Sequence, residues 1–434
     1  MSTAVLVAAI AGVSPAWGSK TVATPIPVGS SPSGVAFNPD GSKAYVTNSG
    51  DNTVSVITVA TRAVGAPIKV GANPQGVAFT PDGAKAFVAN FIGGTVSVIT
   101  VATGAVGFPI AVGANPYGVA ITPDGTKAYV TNSGDSTVSV ITVATGAVSA
   151  PIAVGTSPYG VAITPDGTKA YVTNGDGNTV SVITVATGAV GAPIAVGSGP
   201  VGVAITPDGT KAYVTNSGDS TVSVITVATG AVSAPITVGG GPQGVAVAPD
   251  GTKAFVTNFR DNTVSVITVA TGAVGAPITV GSGPVEVAIA PDGTKAYVTN
   301  NANEGNSTVS VLNFSPALKN SPPVFTSTAP TNPTVGTAYS FTVTASGTGP
   351  IAFTVTAGAL PNGITLTSAS GVLAGTATAG GAYPVSITAT GPGGSATASY
   401  ILTVASAAPI VSAAPIASPV TGSDPAIHLP VVLG

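Results

Sequence analysis

Residues 116–155 read PYGVAITPDGTKAYVTNSGDSTVSVITVATGAVSAPIAVG. Four β-prone runs stand in this stretch: GVAIT from Gly118, KAYVTN from Lys127, TVSVITV from Thr137 and APIAV from Ala150. Each mixes Val, Ile, Tyr and Thr with small residues at a rough period of two, the pattern of strands packed between neighbouring sheets. Asp124-Gly125 joins the first run to the second as a tight turn, and Thr145-Gly146 punctuates the way from the third to the fourth. Four antiparallel strands in about 42 residues make one propeller blade.

The stretch is one of seven copies. The Asp of Pro-Asp-Gly recurs at Asp40, Asp82, Asp124, Asp166, Asp208, Asp250 and Asp292, always 42 residues apart. Pro25–Gly29 (PIPVG) matches the fourth run of every unit yet precedes the first complete one, whereas the seventh unit supplies three runs and then continues as NFSPALKNSPP. An orphan strand at the start and a missing one at the end are complementary. The expected fold is therefore all-β: a seven-bladed β-propeller whose N-terminal strand completes the last blade and removes two sheet edges.

Composition narrows the function. Of 434 residues only 6% are charged, 57 are Gly and 37 Pro, and the net charge is −3. A helix-rich fold is excluded by that balance, and no basic surface is offered to nucleic acid. No apolar run reaches the length of a membrane-spanning helix. The lack of Cys removes disulfides, thiolate chemistry and the common zinc sites.

The repeated TKAYVTNSGDSTVSVIT (Thr126–Thr142) resembles the YVTN family of β-propeller repeats found in bacterial and archaeal surface proteins, over roughly residues 25–312. The resemblance implies seven blades and an exported or surface-layer setting, with no single activity. After Lys319 the composition shifts, and from Asn320 to Ser423 there is no charged residue. LPNGITLTSASGVLAGTATAGGAYPVSITAT (Leu360–Thr390), with its markers at Leu360, Gly371, Gly375 and Tyr383, resembles bacterial immunoglobulin-like domains, and about seven short strands fit there. Related modules hold calcium with carboxylates that this segment lacks, so a calcium-free spacer or adhesion module is expected.

The domain plan is thus a leader at 1–20, the propeller at 21–315, an Ig-like β-sandwich at 322–404 and an Ala/Pro/Ser-rich tail at 405–434. Ala4–Val13 has the length and texture of a signal peptide, although no Lys or Arg precedes it. Ser418–Gly422 (SPVTG) resembles a sortase signal in which Ser418 stands where Leu belongs, pointing to cell-wall attachment.

In a propeller, the first-to-second and third-to-fourth turns share one face, and the other two connections share the opposite one. The first face is uniform: an Asp and a Lys three residues apart in every unit, Asp40 with Lys43 through Asp292 with Lys295. The Asp is expected to serve turn geometry and the Lys to solvate the rim. The second face varies. After the Pro that opens each unit stand Ser33, Gln75, Tyr117, Tyr159, Val201, Gln243 and Val285, and Glu286 replaces the Gly of the other six. The connection NSGDST becomes NFIGGT with Phe91 and Ile92, NFRDNT with Phe259 and Arg260, and a longer loop holding Glu304. The candidate binding residues are Gln75, Phe91, Ile92, Tyr117, Tyr159, Gln243, Phe259, Arg260, Glu286 and Glu304. Drift among redundant copies is the plain alternative.

No catalytic residue, metal or cofactor is assigned: the sole His is His428 in the tail, and the sole Glu residues are Glu286 and Glu304. The expectation is a non-enzymatic extracellular surface protein that contacts a protein or surface glycan. The alternatives are a lactonase-like enzyme at the channel mouth and an intracellular scaffold. A pocket in which Glu286, Gln75, Tyr117 and Gln243 converge would favour the enzyme.

Overall fold

A computed structural model describes residues 21–301, 307–314, 322–347, 350–391 and 394–406. The leader at 1–20, Glu304 and the sortase-like Ser418–Gly422 lie outside the described residues. The chain divides into two compact units, Met1–Ala317 and Leu318–Gly434. All described regular elements are β-strands.

The first unit holds seven antiparallel sheets, one per repeat. The unit read above forms strands Pro116–Ile121, Lys127–Asn132, Thr137–Thr142 and Ile152–Ala153, in that spatial order from channel to rim. Each innermost strand touches the innermost strands of its two neighbours, and Pro32–Phe37 of the first blade touches Pro284–Ile289 of the seventh. The ring is closed. Its seal is the expected one: Thr21–Pro27 pairs antiparallel with Thr308–Asn313, with Ile26 opposite Val309 and Val22 opposite Leu312.

The rim strands are shorter than their apolar runs suggest. In the first six blades the fourth strand pairs over two residues, as Ile194–Ala195, helped in five of them by a single bridge such as Ile183 to Val190. The Pro immediately before it in all six, Pro67, Pro109, Pro151, Pro193, Pro235 and Pro277, is an imino acid without a donor, so the ladder cannot run through.

Side chains of adjacent blades interdigitate to form the core. Tyr171 and Val180 of blade four pack on Ala212, Val214 and Ile225 of blade five, and the same cluster recurs around the disc. The aromatic of each second strand, Tyr45, Phe87, Tyr129, Tyr171, Tyr213, Phe255 or Tyr297, is essentially fully buried. Each contributes roughly 1.5–3 kcal/mol of burial, more than any single turn or surface pair.

Side-chain hydrogen bonds then staple blade to blade. Thr173 Oγ1 donates to the Val201 carbonyl of the next blade at 2.6 Å and accepts the Gly160 amide at 2.8 Å. The same pair recurs at Thr47, Thr131, Thr215, Thr257 and Thr299, the last reaching Ser33 across the seam. Blade two carries Ala89 at this position, so the Tyr117 carbonyl lacks this bond.

The second unit has eight described strands between Val324 and Val404, in sheets of two, three and three. Val343, Phe353, Leu373, Val385, Ile387 and Leu402 form its core. The glycines of the LPNG and GVLAGT motifs are explained by close approach: a Cβ on Gly375 would meet the Gly363 carbonyl at 1.9 Å, and one on Gly363 the Thr376 carbonyl at 2.0 Å.

Candidate functional site

The uniform face is occupied with its own structure. Asp124 Oδ1 accepts the Thr126 amide at 3.0 Å, and Asp40, Asp82, Asp166 and Asp208 do the same in their turns. A neighbouring hydroxyl, from Ser42, Thr80, Thr122, Thr164 or Thr206, holds each of these five carboxyls below the ordinary range, with the turn amide adding to it. The lysines do more than solvate the rim. Lys127 Nζ donates to the Val185 carbonyl of the next blade at 3.3 Å, as do Lys85, Lys169 and Lys211 to theirs.

The variable residues owe their position to a repeated irregularity. In every blade the register of the innermost strand shifts between its Pro and the Val three residues on, as between Pro116 and Val119. The two bulged residues are the variable one and the Gly, or Val285 and Glu286 in blade seven. A bulge re-aims side chains out of the ladder, here into the central channel.

The structure brings Gln75, Tyr117, Gln243 and Glu286 together on one cavity of about 210 Å³ at the channel, with Ser33, Val201 and Val285 completing the ring. Tyr159 is absent from that lining but stands edge-on to Tyr117, with ring centres 5.1 Å apart. Phe91 meets the other side of Tyr117 at 6.4 Å, so a line of three aromatics runs from the loop of blade two to the channel. Ile92 beside it is 70% exposed. Phe259 and Arg260 form a separate patch on blade six, where Arg260 lies against Gly241 and Phe259 against Gly283.

Glu286 is the outlier of the channel. A Cβ on Gly118, Gly160 or Gly202 would fall 2.5 Å from a carbonyl of the next blade, so the other blades have no room for a side chain. Glu286 is partly open to the channel but surrounded by protein, and among the described residues its carboxylate accepts one hydrogen bond, from the Val287 amide to Oε1 at 3.2 Å. Burial pushes its carboxyl up to about 7, against a small opposing effect of that amide. Tyr117 is pushed up to about 12, first by burial and then by the charge of Glu286. No lining residue is cationic, and no trio of acidic, His or Cys side chains that would hold a metal occurs among the described residues.

Residues 1–132 match the family model of the YNCE-like beta-propeller, and residues 322–405 match that of the "Putative Ig domain". The chain is a β-propeller protein with an Ig-like domain. The hydrazine synthase of Kuenenia stuttgartiensis is similar in fold, with a TM-score of 0.60 and 25% identity over 66% of this chain and 96% of that one. No curated protein matches the propeller chain. A propeller joined to an Ig-like domain carries a protein-interaction or surface role in general.

Two features of this propeller were missed in the sequence. One is the ring of threonine and lysine staples, whose residues read as ordinary strand and turn positions. The other is Phe108 on blade two, which is 96% exposed. Its signal was available, since the other five comparable repeats place Ala66, Ala150, Ala192, Ala234 and Ala276 there.

Proposed function

We propose that this is an exported, non-enzymatic surface protein whose variable propeller face binds a protein or a surface glycan, with the Ig-like unit as a spacer. The observation that carries the reading is the asymmetry of the two faces. On one, the repeated Asp side chains are consumed by turn bonds, and Lys85, Lys127, Lys169 and Lys211 by blade-to-blade bonds; on the other, Ile92, Phe259 and Arg260 are exposed and differ from their repeats. Exposed aromatics and Arg are the usual anchors of recognition.

Glycan and peptide arrays probed with the full chain test it. A captured ligand should be lost in Phe91→Ser/Ile92→Ser or in Phe259→Ser/Arg260→Ser and kept in Lys127→Ser. Capture sensitive only to the first-face change would overturn the assignment. Export is tested by fractionating cells that make the protein, and a product retained inside them would favour the intracellular scaffold.

One observation favours the enzyme reading: the four channel residues converge, and Glu286 titrates near 7, where a general acid or base works best. Against it, the lining offers no His, Lys, Cys or second carboxylate to work with Glu286, and the Ser33 hydroxyl is spent on Gln75 Oε1 at 2.7 Å. Turnover of a lactone or ester panel that disappears in Glu286→Gln would establish the enzyme.

A further inference from the structure

Beyond surface recognition, we propose that the channel cavity binds a small organic cation, a primary or methylated ammonium, between the Glu286 carboxylate and the Tyr117 ring. This inference needs only the channel and stands whether or not the variable face holds a macromolecule.

The argument begins with an uncompensated charge. Six blades place Gly where the seventh places Glu286, and the carboxylate enters a cavity of about 210 Å³. Enclosed carboxylates are normally paired with a cation or neutralised by a proton. Neither Lys, Arg nor His lines this cavity, and the single amide bond at 3.2 Å leaves Oε2 without a recorded partner. A cation is the missing complement.

The remaining walls choose among cations. A divalent metal needs several oxygen ligands with carboxylates among them, and one Glu with two amide side chains falls short. Of those two, Gln75 Oε1 already accepts from Ser33 Oγ at 2.7 Å, and Gln243, held through Nε2 to Ser217 Oγ at 3.2 Å, has one oxygen to offer. Tyr117 supplies what an ammonium uses, an electron-rich ring held in place by Phe91 and Tyr159, and its hydroxyl makes no hydrogen bond among the described residues. Val201 and Val285 in the same lining suit the methyl or alkyl part of such a ligand.

A proton is the competitor, and the only titratable side chains lining the cavity are Glu286 and Tyr117. Glu286 loses its proton at about 7, so the cation should bind about tenfold more tightly at pH 8 than at pH 6, whereas Tyr117 stays neutral throughout.

The test is titration calorimetry of the full chain with tetramethylammonium and propylammonium in phosphate buffer, with tert-butanol and calcium as controls. Saturable binding of an ammonium at pH 8 is expected, about tenfold weaker at pH 6, weaker by at least tenfold in Glu286→Gln, and weakened in Tyr117→Leu but kept in Tyr117→Phe. Should Glu286→Gln fail to fold, the pH profile of the unaltered protein decides. No saturation at pH 8, an affinity indifferent to pH, equal binding of tert-butanol, or binding of calcium alone would each overturn the proposal.

Discussion

Ordinary blade interfaces and the seam between blades seven and one solve the same problem with different means. From blade three to blade six, each interface repeats one kit: an aromatic in the core, a Thr staple to the next carbonyl, and a short rim strand. The seam keeps the staple, from Thr299 to Ser33 at 2.7 Å, and the aromatic contact, Tyr297 to Phe37 at 4.8 Å. It adds a rim strand of seven residues where the other blades pair two, and the Ser307 hydroxyl accepts the Ser31 amide at 3.1 Å. Arg62, the one departure from the repeated Ala-Thr-Gly, sits at φ 62 and donates a hydrogen bond to the Thr24 carbonyl of that strand. A repeat array tolerates uniform joints where neighbours are covalently continuous. The joint that the chain does not connect receives extra length and a dedicated latch.

The comparison breaks first at Ile26, which is 3% exposed and packs with Val35, Ile57 and Val309. Ile26→Asp places an unpaired charge in the seam and should cost about 3–5 kcal/mol, read by urea unfolding, with blade one losing amide protection first. An equal loss from Ile194→Asp, at an ordinary rim, would show that the seam has no special role. Glu286, in the blade that forms the seam, should cost stability in a pH-dependent way. Its carboxyl is raised above its unfolded value of 4.5, so its contribution is intact below about 4.5 and is lost as pH rises to about 7. Glu286→Gln should therefore stabilise the fold at pH 8 by roughly 1–3 kcal/mol and leave it unchanged at pH 4. The turn carboxylates have the opposite sign. Their lowered values make their contribution present at neutral pH and lost below about 4, an acid limb that Asp124→Asn should reduce.

A smaller effect sharpens the ordinary side. Thr173→Val removes one staple and should cost about 1–2 kcal/mol, while Ala89→Thr adds the staple that blade two lacks and should gain about 0.5–1.5 kcal/mol in thermal unfolding. A loss on Ala89→Thr would mean that Phe87 and Val96 leave no room for the hydroxyl. The smallest change is Arg62→Gly, which relieves a left-handed residue and removes the latch, so the two effects should offset to within about 1 kcal/mol.

The fold was legible because a 42-residue period carries its own turns and strand alternation seven times, and the orphan Pro25–Gly29 announced the closure. The outer strands were over-read, since the run APIAV looks continuous but its Pro, which has no amide to donate, interrupts the ladder. At the candidate site, the positions that differ between repeats were visible, including Glu286, Tyr117 and Gln75. Their place around the channel mouth followed from the innermost strand that they enter, but the bulge that turns them into one cavity did not, because no single residue type announces it. The staples stayed hidden for another reason: Thr at a strand position is ordinary β composition, and only the next blade reveals that its hydroxyl reaches a carbonyl 28 residues away.

The closing strand has a further consequence in time. Ile26 leaves the ribosome 283 residues ahead of its partner Val309. At about 5–20 residues per second that is a wait of roughly 15–60 s, during which blades one to six accumulate as an open arc with a bare flank at each end. The disc becomes a circle in one late step, and a chain threaded across a membrane before that step would still be unsealed when it arrived.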